Sequence, residues 1–159
     1  MTIADTMALA ERFNREIAEL ADKLPERAVL VAHRRLTIEA LRRIVKRSPV
    51  DTGRFRGNWQ ASVTNPIEVE VAGNVPDASG GRRQRWTPAD PRDPISKVAE
   101  SLGSLQPYGS VWLTNNLPYS IVLEEGGSQQ APRGIVGVTV LELLDWLDTN
   151  ELKPLAAAS

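Results

Sequence analysis

Apolar residues recur at helical spacing through the first third of the chain and then change period. Phe13, Ile17, Leu20 and Leu24 follow at intervals of four, three and four, with Glu11, Arg12, Arg15, Glu16 and Glu19 elsewhere on the wheel. That spacing predicts an amphipathic helix over about residues 3–22. Thr2 and Asp5 stand at the separation of a capping box, which fixes its start. Its apolar stripe is narrow, and packing on its own domain is expected ahead of packing on a neighbouring subunit. A second helix begins at Pro25, which suits a first helical position, with Glu26 beside the positive end of the dipole. Val29, Leu30, His33, Leu36, Ala40, Leu41, Ile44 and Val45 give it one apolar face. Arg34, Arg35, Arg42, Arg43, Lys46 and Arg47 occupy the other, against the single acid Glu39. Pro49 disfavours helical backbone at Ser48, so the helix should stop there.

Beyond the stop the period falls to two. Trp59, Ala61 and Val63 alternate with Gln60, Ser62 and Thr64, and Ile67, Val69 and Val71 alternate with Glu68 and Glu70. Two half-buried strands over residues 59–64 and 67–72 are predicted, joined at Asn65-Pro66 as a hairpin that lies against the long helix. Periodicity is lost over residues 73–94, a Pro- and Gly-rich loop carrying Arg82, Arg83, Arg85 and Trp86. A long loop in a compact domain is usually functional or disordered. Docking on a partner protein is the first reading of its Arg–Trp cluster, a flexible insertion the second and DNA phosphate the third. Asp93-Pro94 should open a short helix to about residue 105, followed by a turn at Gln106-Pro107-Tyr108-Gly109 and a strand over residues 110–114 that joins the sheet. Residues 115–118 cap a helical turn ended by Gly126-Gly127. Val136, Val140, Leu143, Leu144 and Leu147 predict a last helix, with a strand at residues 138–140 as the alternative, and residues 153–159 read as a loose tail. The fold class is α+β, a single domain over residues 1–159: long N-terminal helices on a small, mainly antiparallel sheet, with a C-terminal helix.

The junction between the two periods carries a resemblance. Pro49-Val50-Asp51-Thr52-Gly53, leading to Trp59, resembles a Pro-Val-Asp-Thr-Gly segment of a family of tail components of long-tailed bacteriophages, the tail-completion, neck or head-tail joining proteins. Pro118-Tyr119 with Glu124 and Gly126 is similar to its Pro-Tyr-Ala-x-x-x-Glu-x-Gly segment, and Ala131-Pro132-Arg133-Gly134 to the Ala-Pro-x-Gly that follows. The likeness runs over about residues 25–147 and departs at residues 56–59, which are bulkier, and in the longer, more basic loop before the second block. The resemblance implies a structural virion protein that caps or completes the tail tube and joins it to the head. It implies a homo-oligomeric ring, a hexamer ahead of a dodecamer, with tail-tube and head-tail connector proteins as partners and the Glu-x-Gly element serving the fold.

Composition narrows the rest. A charged fraction of 25% and an apolar fraction of 42% suit a globular protein, and 159 residues can bury one core. Net charge is only −1, so any DNA contact must come from local patches. The cationic face of the second helix reads either as a solvated surface or, with Arg35, Arg42, Arg43 and Lys46, as a stripe facing DNA that passes through a ring. Glu142, Asp145 and Asp148 make the last helix acidic. They are candidates to meet the basic helix, either in the next subunit or within one. There is no cysteine, no apolar run approaches membrane-spanning length, and the N-terminus is acidic and amphipathic; cytoplasmic synthesis and no membrane partner are expected. His33 is the only histidine and reads as a core residue. No phosphate-cradling loop, metal-ligand spacing or nucleophile–base pair is visible, and adjacent Glu124 and Glu125 cannot form one pincer on a helix. No enzyme activity, cofactor or small-molecule substrate is expected. The alternative function is a nucleic-acid-binding module using the basic helix with Arg82, Arg83 and Arg85.

Overall fold

The computed structural model describes residues 1–51, 53–71 and 94–148. The loop expected over residues 73–94 falls almost wholly outside them, as do the tail and Thr52, Arg82, Arg83, Arg85 and Trp86. The described residues form an α+β fold. Helices α1 (Ile3–Ala21) and α2 (Glu26–Arg47) lead to a short α3 (Arg54–Gly57) and strand β1 (Gln60–Ser62). Then come α4 (Pro94–Ser101), a single 3-10 turn (Leu102–Ser104), β2 (Trp112–Thr114), a short α5 (Ser120–Glu124) and α6 (Val136–Asp148).

Local chemistry sets these boundaries much as the sequence implies. Thr2 caps α1: its side chain accepts from the Asp5 N–H at 3.1 Å, and the Asp5 carboxylate accepts from the Thr2 N–H at 2.8 Å. Those bonds hold the Asp5 carboxyl below the usual carboxylate range, the backbone bond contributing most. Pro25 is the cap of α2 rather than its first helical residue, one position from the expected place. The helix ends at Arg47, and Ser48 turns extended ahead of Pro49. Gly53 takes the left-handed conformation at φ +83°, and α3 follows at once, a turn of helix where the alternation predicted only a turn into a strand.

The sheet differs from expectation. Residues 59–64 and 67–72 do not form a hairpin; β1 pairs antiparallel with β2, with Gln60 opposite Thr114 and Ser62 opposite Trp112. The apolar content of β2 explains the choice. Val111 and Leu113 pack on the core together with Ala61 and Val63, whereas Glu68, Val69 and Glu70 stay exposed. Residues 67–71 lie alongside, held by the side chains of Asn58, Gln60 and Asn116. The element packed directly on β1 is α4, with α2 behind it.

One core joins these parts: Leu41, Ile44 and Val45 of α2, Phe55, Trp59, Val98, Leu102, Leu105, Leu117 and Ile135. Helix α1 packs on α6, within its own chain. The last element is a helix and not a strand at residues 138–140. There the β-branched Thr139 is fully buried and its hydroxyl donates to the Ile135 carbonyl at 2.8 Å, so it adds no unpaired polar group. No helix among the described residues is long and apolar enough to cross a membrane.

Leu41 has no exposed surface. Leu41→Ala should therefore cost about 2–5 kcal/mol of unfolding free energy, read from a urea titration with unchanged m-value.

Candidate assembly surface

The two stretches that resemble phage tail components meet in space. Ser48 is buried at the end of α2, where its hydroxyl donates to the Ile44 carbonyl at 2.8 Å and accepts from Trp59 Nε1 at 2.8 Å. Arg56 donates to the Ser48 carbonyl at 2.8 Å, and partial burial pushes the guanidinium pKa down. Phe55 stacks edge-on against Trp59, with centroids 6.0 Å apart, and lies 5.9 Å from the Tyr119 ring. Asn115 donates to the Phe55 carbonyl at 2.9 Å. Gln130 forms a reciprocal pair with the backbone of Val50, accepting from its N–H at 3.0 Å and donating to its carbonyl at 3.2 Å. Pro49 and Trp59 of the first block are thereby locked to Tyr119 and the loop before Pro132.

Glu124 has a role that the sequence did not suggest. It ends α5 and is buried, yet its carboxylate accepts three backbone N–H groups at the start of α6. These are Ile135 at 2.9 Å, Val136 at 2.7 Å and Gly137 at 2.8 Å. The Thr6 hydroxyl of α1 donates to it at 3.1 Å. One side chain thus caps a helix that begins twelve residues downstream and ties α1 to the same point. The intervening loop must be tight. Gly126 and Gly134 take left-handed φ of +89° and +86°, and a Cβ on Gly126 would stand 2.5 Å from the Pro132 carbonyl oxygen. Glu124, Gly126, Pro132 and Gly134 accordingly serve the fold, Tyr119 packs on Phe55 while keeping an exposed edge, and Pro118 is exposed.

The charged faces of α2 and α6 meet within one subunit. Glu142 bonds Arg47, and Arg43 at 3.3 Å; Arg43 also reaches Glu39 at 2.8 Å. Glu142, a candidate to meet the basic helix in the next subunit or within one, meets it inside the chain, where Arg43 and Arg47 are engaged with it. Arg35, Lys46 and Asp145 remain exposed, and Arg42 is exposed with only a 3.8 Å approach to Glu39. Arg42 and Lys46, with the exposed Arg133, line an open groove of about 660 Å³ between α2 and the loop ahead of α6. Sequence reasoning passed over Arg133 because it sits far from the basic helix in the chain. For Asp148 only the backbone, closing α6, is described.

On the other side of α2, two apolar clefts of about 380 and 330 Å³ adjoin at His33 and Leu36, walled by Ile17 of α1 and by residues 109–110. Tyr108 and Trp112 are exposed near them, and Ile121 and Val122 on α5 are exposed as well. Compared with family models, curated proteins and solved structures, the chain matches none. Among the described residues no group of three or more His, Asp or Glu side chains could hold a metal ion.

Replacing the carboxylate should expose its role. Glu124→Ala strands three amides and a hydroxyl, and a loss of about 3 kcal/mol or more is expected by chemical denaturation. A loss below about 1 kcal/mol would contradict the capping role. His33 supplies a pH dependence. Burial lowers its pKa from the ordinary 6.5, so the unfolded chain binds the proton more readily than the folded one. Stability from this site is complete above pH 6.5 and declines as the pH falls from there towards the lower folded value. Unfolding midpoints between pH 7.5 and about 5 should fall for the wild type, and His33→Gln should flatten that part of the profile.

Proposed function

We propose that this chain is a structural virion protein of a long-tailed bacteriophage, one that forms a ring to complete the tail tube and join it to the head. The observation that carries the reading is the meeting of the two blocks. The segment at residues 49–59 touches the second block directly through the Phe55–Tyr119 ring contact, and Asn115 and Gln130, which flank the later segments, bond the backbone of Phe55 and Val50. Their residues serve to hold a loop and two helix ends in place, which is what a protein working through its surfaces requires. Exposed apolar side chains on several sides, among them Trp112, Tyr108, Ile121 and Val122, supply area for subunit and partner contacts.

The internal use of Glu142 changes how such a ring would close. A basic helix meeting the acidic helix of the next subunit would have to spend cations already engaged at home. Arg42, Lys46 and Asp145 stay available for contacts with other molecules, and a closed ring needs two different patches on each copy. The groove with Arg42, Lys46 and Arg133 favours a second reading, sequence-independent contact with nucleic-acid phosphate.

Light scattering on a sizing column separates the two. The ring reading expects a discrete hexamer of the wild-type chain, with a dodecamer pointing to the head side of the joint. The nucleic-acid reading expects a species that binds duplex DNA with an affinity falling steeply with salt, and that loses binding in Arg42→Glu/Lys46→Glu. A wild-type chain that neither forms rings nor enters assembled tails would overturn the virion proposal.

A further inference from the structure

The fold sorts the cations of α2 into an engaged set and an outward set. A helix turns about 100° per residue, so Arg35, Arg42 and Lys46 fall within about 40° of one another on α2, over an axial distance of about 16 Å. All three are exposed, and so is Arg133, which stands across the groove that Arg42 and Lys46 line. Arg35, Lys46 and Arg133 form no ion pair among the described residues, and Arg42 has only its 3.8 Å approach to Glu39. The neighbouring cations are withdrawn from this track. Arg34, next to Arg35 in the chain, donates to the Gly103 carbonyl at 3.4 Å and has a buried Nε. Arg43 and Arg47 engage Glu142, and Arg43 engages Glu39, so both acids lining the groove are matched from within. On a chain of net charge −1, what is left is a local line of positive charge.

We infer that Arg35, Arg42, Lys46 and Arg133 form one track that holds the phosphodiester backbone of a nucleic-acid duplex without reading its sequence. This rests on the nucleic-acid reading of the groove, and extends it along α2 to Arg35 and to a double strand. Charge and spacing select the occupant. A track of about 16 Å matches the axial rise of about five nucleotide steps of one strand, each carrying a phosphate. A single strand is held largely by stacking on aromatic rings, and neither α2 nor the groove lining contains an aromatic residue. The same lack sets the track apart from the core of a protein–protein interface, where aromatics are enriched and Lys is depleted. Base reading by insertion is closed off, because α4 and α6 pack on α2 and leave only a ridge of it outside, whereas the major groove admits a whole helix. Gln130, the amide side chain in the groove lining, is already occupied by the backbone of Val50.

Fluorescence anisotropy of a short labelled duplex, titrated with the full chain at several salt concentrations, tests this. Four phosphate contacts predict a slope of log K against log salt of about −3 to −4. Arg35→Gln and Arg133→Gln, both at exposed positions, should each make that slope shallower by about 1, whatever the duplex sequence. Arg34→Gln, checked for folding by circular dichroism, should leave the slope as it is; a change there equal to that of Arg35→Gln overturns the track. A single strand of the same sequence, or polyglutamate of equal charge used as competitor, should bind at least about tenfold more weakly, and equal binding of either overturns the duplex assignment. Duplex DNA and duplex RNA should both bind, and exclusive binding of one overturns contact through phosphate alone. If Arg42→Glu/Lys46→Glu abolishes binding while Arg35→Gln leaves the slope unchanged, the groove stands and the track along α2 falls. A folded wild type that binds no duplex at low salt removes both.

Discussion

The carboxylate of Glu124 is the constraint on which the rest of this structure depends. A buried charge is costly unless fully bonded, and here three amides and a hydroxyl surround it. The bonds fix the start of α6, the amino-terminal turns of α1 and the end of α5 at one point. They also determine how sharply residues 125–134 must fold back, and so why two glycines there adopt left-handed backbone. The Val50–Gln130 pair then transmits that position to the end of α2.

A second constraint is electrostatic. Arg43 and Arg47 close the end of α2, where cations also suit the negative end of the helix dipole, and Glu142 draws both towards α6. Individual pairs of this exposure contribute little, on the order of 0.2–1 kcal/mol, but the shared network fixes which cations face inward. What remains outside is a smaller basic set: Arg35, and near the network Arg42 and Lys46, joined by Arg133 from another part of the chain.

The sheet is the least self-sufficient part of the fold. A two-stranded sheet is marginal alone, and α4 covers only part of it. Residues 67–71, beyond β1, bend at Val69 and are held by side chains instead of by a ladder, and Val69 lies exposed there.

The sequence by itself determined the elements whose signals are local: both long helices, the Thr2–Asp5 cap of the first, the stop at Ser48, the helix from Pro94, the short turn before Gly126 and the α+β class. Periodicity and cap chemistry act within a few residues, so they can be read without knowing the fold. Only tertiary structure decided which strand β1 takes as a partner, because residues 67–71 and 110–114 both read as strands and the outcome turned on which could bury more apolar surface. Only tertiary structure joined Arg133 to Arg42 and Lys46, spent Glu142 within the chain and turned Glu124 into a cap. Each of these is a pairing between groups distant in the chain, and a pairing is set by three-dimensional proximity that no spacing along a sequence encodes.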